Sequence, residues 1–273
     1  MHPDFESFDM RGHRLRYLCR GEGTPTVIIE QGGGVSIEQS FLGRVPFGWR
    51  KVFEALSKTH RTLLHDRAGL GWSYAPTRPR TCAGLVKDLR ALLRHAEVGP
   101  PYLLVGHSIG GFNVRLFAHQ YPEEVVGVVL VDSTHPDQWA RFSRLVPRPT
   151  QGEPSVLQMF RTKADPSLTP ERIDYVASTD EVRTAGSLGD TPLIVLSRSP
   201  SSLRIPGLPA DMAARMEEVW SELQRDLLNL STRSAQIVAA HAGHHVQLDE
   251  PQLVTQTILK LLHETSTLRP VLH

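Results

Sequence analysis

Val105-Gly106-His107-Ser108-Ile109-Gly110-Gly111 ends the apolar run that begins at Tyr102 and precedes Phe112 to Tyr121, whose apolar positions recur at helical spacing. A G-x-S-x-G pentad between a strand and a helix predicts a turn sharp enough to project the serine oxygen clear of the sheet edge. Gly106 and Gly110 suit places where backbone passes too close for a Cβ, and the serine must tolerate an unusual φ/ψ. Ser108 is therefore the candidate nucleophile. The helix behind it turns free N–H groups and the positive end of its dipole toward any anion formed there.

The 273 residues suffice for one α/β domain with an inserted segment. Lys and Arg total 30 against 29 Asp and Glu, a formal charge of +1, and the signs are mixed along the chain. Nucleic-acid binding needs a concentrated basic face, so no such partner is expected. Met1 to Glu6 lacks the basic and apolar regions of a signal peptide, and no apolar run is long enough to span a bilayer. A cytoplasmic location is the expectation. Cys19 and Cys82 are too few for a disulfide framework and read as buried free thiols.

Upstream of the pentad, Glu6 to Met10 and Arg14 to Cys19 alternate around Gly12 as a hairpin, and Thr26 to Glu30 is a short β-branched strand. The latter ends in Gln31-Gly32-Gly33-Gly34. Glycines at a strand end let backbone N–H groups approach a ligand, so Gly33 N–H and Ile109 N–H form the expected oxyanion hole. Trp49 to His60 reads as a helix and Arg61 to His65 as a strand. Asp66 to Ser73 contains Gly-x-Gly without the rest of a dinucleotide fingerprint; it reads as a structural turn in which Asp66 and Arg67 fix local hydrogen bonds. Leu85, Leu89, Leu92 and Leu93 mark the helix that leads to the nucleophile strand.

Downstream, Val125 to Val131 is a near-continuous apolar run of the kind found in parallel strands covered on both faces. Asp132 stands at its carboxyl end, the edge where open α/β sheets bind ligands. Residues 134–189 then break the pattern with six prolines, and two helical stretches are expected near Ser155 to Lys163 and Pro170 to Thr179. This segment reads as a helical lid on a core domain made of residues 1–133 and 190–273. Trp139, Phe142, Leu157 and Phe160 are candidate pocket walls or, equally, the lid's own small core. The sheet resumes at Thr191 to Leu196, followed by a helix from about Ala210 to Asn229, a strand at Ala235 to Ala240 and a helix at Pro251 to Leu262.

A neutral serine needs a base, and histidine titrates near neutral pH. Among 13 histidines, His244 leads because it follows a glycine just after the last strand, with His245 as the alternate. His107, beside the nucleophile, is expected to point away and act structurally. No H-E-x-x-H or ligand spacing suggests a metal, and no cofactor is implied. The loop after the Leu193 strand, Ser197 to Ser202, holds no carboxylate. Asp132 is therefore the first choice for the acid that orients the histidine, with Asp137, Asp190, Asp211 and Glu222 as alternatives.

Elbow, glycine turn, Asp66-Arg67-Ala68-Gly69-Leu70-Gly71-Trp72-Ser73 and Gly243-His244 together resemble the α/β-hydrolase superfamily, in the lidded branch that contains many esterases. The resemblance runs from about Thr26 to Leu262. It implies a mostly parallel sheet with helices on both faces, Ser108 as nucleophile, His244 as base, and Gly33 and Ile109 as oxyanion donors. The missing acid after the Leu193 strand departs from the commonest pattern, although pancreatic-type lipases place it one strand earlier, where Asp132 stands. Dehalogenases and epoxide hydrolases of this fold attack with Asp, whereas position 108 is Ser. The expectation is a serine hydrolase cleaving a small to medium apolar carboxylic ester; C–C bond hydrolysis, lactone opening and a slow-turnover ligand receptor are the alternatives.

Overall fold

Strict alternation of buried side chains organises the sheet. Ile28, Leu63, Leu104 and Val128 pack into one apolar layer, while Val27, Ile29, Leu64, Val105 and Val129 pack into the layer on the opposite face. A computed structural model describes residues 5–10, 12–42, 48–151, 153, 157–158, 165–200, 202–203 and 207–266. Its eight strands are β1 (Glu6–Met10), β2 (His13–Arg20), β3 (Thr26–Glu30), β4 (Thr62–Asp66), β5 (Tyr102–His107), β6 (Val125–Val131), β7 (Leu193–Ser197) and β8 (Ser234–Val238). They lie in the order β1-β2-β4-β3-β5-β6-β7-β8. β1, β2 and β4 pair antiparallel, and every pairing from β4 to β8 is parallel. β3 to β7 are buried, and β5, β6 and β7 accordingly read as near-continuous apolar runs rather than alternating ones.

The helices are α1 (Ile37–Leu42), α2 (Arg50–Leu56), α3 (Cys82–His95), α4 (Gly110–Gln120), α5 (Gln138–Leu145), α6 (Tyr175–Ala185), α7 (Ala210–Asp226) and α8 (Pro251–Ser266), with a single helical turn at Val246–Asp249. α3 and α4 cover one face; α2 and α8 cover the other. Cys19 and Cys82 are free thiols, and burial pushes the Cys82 thiol up to about 12.

Residues 134–189 hold α5 and α6 and no named strand among the described residues. The expected helix near Pro170 begins later, at Tyr175, because the Asp174 carboxylate accepts the N–H groups of Val176 and Ala177 and so sets the first turn there. α6 packs on α3 and α4, with Val182 and Ala185 in the core they share. The helix expected near Ser155 to Lys163 lies outside the described residues apart from residues 157–158. α5 packs instead on α7, and Phe142 and Leu157 join Met212, Met216 and Trp220 in a separate apolar cluster.

Candidate active site

β5 ends where the chain must turn into α4, and three hydrogen bonds and two close backbone approaches shape that turn. Ser108 N–H donates to Val131 O at 3.2 Å, and Ser108 O accepts Gly111 N–H and Thr134 N–H, both at 3.0 Å. Ser108 is thereby held at φ +52°, in the left-handed region that costs an L-residue free energy. A Cβ on Gly110 would lie 2.1 Å from Glu30 O, and one on Gly106 would lie 2.7 Å from Gly110 O. Both glycines of the pentad are thus required by backbone-to-backbone approach.

The half-buried Ser108 hydroxyl donates to His244 Nε2 at 3.2 Å, and His244 Nδ1–H donates to Asp132 Oδ2 at 2.6 Å. The three residues come from the ends of β5, β6 and the loop after β8, at the carboxyl edge of the sheet. Asp132 is fully buried and takes three further hydrogen bonds: Trp220 Nε1–H to Oδ1 at 2.8 Å, Arg198 N–H to Oδ1 at 3.2 Å and Arg198 Nη1–H to Oδ2 at 3.0 Å. Burial alone would raise its pKa, but the bonds from His244 and the Arg198 charge prevail and hold the carboxyl at about 2. Its φ of +38° is one that Asp tolerates better than most residues.

The alternates lie elsewhere. Asp137 pairs with Arg183 at 2.6 Å, and Glu222 with Arg141, both at exposed positions. His245 sits beside His244, ring centroids 5.2 Å apart, and it is His244 that bonds Ser108 and Asp132. Burial, then the neighbouring His244, lowers its pKa to about 4. His107 is buried, and its Nε2–H donates to the His244 carbonyl at 2.8 Å, so it anchors the loop that carries the candidate base.

Gly33 lies beside Ile109: a Cβ built on Gly33 would be 3.7 Å from Ile109 Cγ2. A cavity of about 180 Å³ opens at Ser108, walled by Gly33, Val35, Trp49, His107 and His245. Of the expected pocket walls, Phe142 and Leu157 are buried against α7 and Trp139 is packed on the same cluster. Phe160 lies outside the described residues. The cluster still borders the site, because Trp220 stacks on Phe142 and bonds Asp132. No three His, Cys, Asp or Glu side chains among the described residues are grouped to hold a metal ion.

Sequence reasoning missed the residues that grip this machinery. Trp220 gave no signal beyond its place in the helix expected from about Ala210 to Asn229, and Arg198 none beyond occupying the loop where a carboxylate was sought. Arg67 was expected to bond locally, yet it reaches the glycine turn after β3, donating to Gln31 O at 2.6 Å and Gly32 O at 2.8 Å. Asp66 also reaches beyond its own turn, accepting Ile37 N–H at 2.7 Å.

The chain belongs to the α/β-hydrolase fold family, whose model matches residues 25–171. It is 28% identical over 236 residues to the uncharacterized protein YqjL of Bacillus subtilis, a match covering 86% of this chain and 82% of that protein. It is 24% identical over 286 residues to an AB hydrolase superfamily protein of Gibberella zeae, covering 87% and 86%. Several other curated relatives are matched over less than half of their own length. Among solved structures, a thermophilic esterase from Thermogutta terrifontis superposes with a TM-score of 0.62 at 20% identity, over 96% of this chain and 97% of that one. No helix among the described residues is long and apolar enough to cross a membrane.

Proposed function

We propose that the protein is a serine hydrolase that cleaves a carboxylic ester through an acyl-enzyme, acting in the cytoplasm on a small to medium apolar substrate. The observation that carries this reading is the hydrogen-bonded series Ser108 Oγ to His244 Nε2 at 3.2 Å and His244 Nδ1 to Asp132 Oδ2 at 2.6 Å. Asp132 keeps the tautomer in which Nε2 is free to accept the serine proton. Ser108 Oγ attacks the ester carbonyl carbon as its proton passes to His244 Nε2. The carbonyl oxygen, now anionic, accepts from Gly33 N–H and Ile109 N–H. Collapse of the tetrahedral species breaks the bond to the alcohol oxygen, which takes the proton from His244. Water then adds to the acyl-enzyme by the same route, with His244 as base, and releases the carboxylate. No cofactor enters these steps. Residues 134–189 serve as the lid.

Hydrolysis of a short-to-long series of p-nitrophenyl esters by wild type, beside Ser108→Ala and Asp132→Asn, tests the reading. Multiple turnovers that vanish in Ser108→Ala support it. Folded wild type that turns over none of the esters rejects it in favour of C–C cleavage, lactone opening or a ligand receptor.

A further inference from the structure

Gly33 has no side chain by which the fold could hold it, yet the proposed mechanism requires its N–H to keep one direction. Both peptide units that flank it are anchored to one buried ion pair. In the unit before it, Gly32 O accepts Arg67 Nη2–H at 2.8 Å. A trans peptide points its C=O and N–H in opposite directions, so this bond turns the Gly33 N–H away from Arg67. In the unit after it, Gly34 N–H donates to Glu171 Oε2 at 2.6 Å. The other Glu171 oxygen, Oε1, accepts Arg67 Nε–H at 2.8 Å, which closes the circuit.

The pair is built to stay put. Arg67 and Glu171 are 1% and 2% exposed. Arg67 Nη1 also donates to Gln31 O at 2.6 Å and to Glu30 Oε2 at 3.1 Å. Glu30 is in turn held by His65 at 2.5 Å and Asn113 at 2.9 Å. Glu171 lies just before α6, within the segment inserted between β6 and β7, 104 residues from Arg67 in sequence. Neither side chain lines the cavity at Ser108.

We propose that Arg67 and Glu171 are positioning residues that fix the peptide planes on either side of Gly33 and so aim its N–H at the developing oxyanion. The inference rests on the ester-hydrolase reading. It adds that the inserted segment, through Glu171, completes the oxyanion hole. A bond that aims a donor used chiefly in the transition state acts on kcat and leaves KM nearly unchanged.

The experiment compares Glu171→Gln, Glu171→Asp and Ile258→Val on a p-nitrophenyl ester, with thermal melting of each. Glu171→Gln replaces the carboxylate that accepts from both Arg67 and Gly34. Glu171→Asp keeps the charge but falls short of Gly34 N–H, so it serves if the Gln variant fails to fold. Ile258→Val trims a fully buried side chain of α8 that belongs neither to this network nor to the lining of the cavity at Ser108. The expected result is a fall in kcat of about 10- to 100-fold for the folded Glu171 variants, below the full loss of a donor, with KM within about twofold. A boronic acid that mimics the tetrahedral species should lose affinity by the same factor. Ile258→Val should melt earlier with kcat near wild type. Ser108-dependent turnover with kcat unchanged in the Glu171 variants, or lowered equally by Ile258→Val, overturns the positioning role alone. Wild type without Ser108-dependent turnover overturns both this role and the hydrolase reading.

Discussion

Arg198 closes on Asp132 twice, its backbone N–H donating to Oδ1 at 3.2 Å and its Nη1 to Oδ2 at 3.0 Å. The guanidinium is 6% exposed and also pairs with Glu217 at 3.2 Å, leaving one net negative charge among three buried ions. Removing one member of such a set strands its partners. Arg198→Met should therefore destabilise the fold by about 3–5 kcal/mol. Urea denaturation checks this, and a loss below 1 kcal/mol would mean that the pair contributes little.

Asp132→Asn changes both the tautomer of His244 and the charge facing Arg198. A fall in kcat of about 10⁴-fold is expected from the tautomer alone. Steady-state kinetics on the folded variant provide the check, and near wild-type activity would transfer the role to another carboxylate.

The two glycines near the site should respond in opposite ways. In Gly110→Ala the new Cβ meets Glu30 O at 2.1 Å, backbone against backbone, so a cost near 3 kcal/mol is expected, the upper end of ordinary overpacking (~1–3). In Gly33→Ala the nearest atom is 3.5 Å away, an ordinary contact, and stability should stay within about 0.5 kcal/mol. Melting curves of the two variants decide this.

Acid stability should follow two histidines beside the site. His107 is held well below its ordinary 6.5, first by burial and then by His244, and His245 is held at about 4 for the same reasons. As pH falls below 6.5 the unfolded chain takes up protons that the folded chain refuses, so stability drops between pH 6.5 and 4. Asp132 and Glu30, both held at about 2 against ordinary values of 3.8 and 4.5, keep their full contribution above about pH 4.5 and lose it progressively as pH falls toward 2. Melting temperature against pH should show a shallower slope for His245→Asn than for wild type over that range; parallel slopes would contradict the assignment.

The parts of the site that were legible in the sequence are those that local chemistry dictates. G-x-S-x-G needs its glycines where Glu30 O and Gly110 O approach, and β5, β6 and β7 announce themselves as apolar runs because both faces are covered. The start of α6 was misplaced because the capping power of Asp174 is visible only once the chain before it has turned. Arg198, Trp220, Arg67 and Glu171 escaped because their partners lie far away in sequence: Trp220 reaches Asp132 across 88 residues and Arg67 reaches Glu171 across 104. No periodicity or spacing encodes such long-range hydrogen bonds. Phe142 and Leu157 stood open between pocket wall and lid core, and only packing could assign them to the α7 cluster.

The central claim is that Ser108 carries the acyl group. Rapid quenching of wild type during turnover of p-nitrophenyl acetate, followed by peptide mass spectrometry, tests it most directly. An acetyl group on the peptide containing Ser108, formed with a burst of nitrophenol and absent in Ser108→Ala, is the predicted result. Turnover with no adduct on that peptide, or with an adduct that survives in Ser108→Ala, would contradict it.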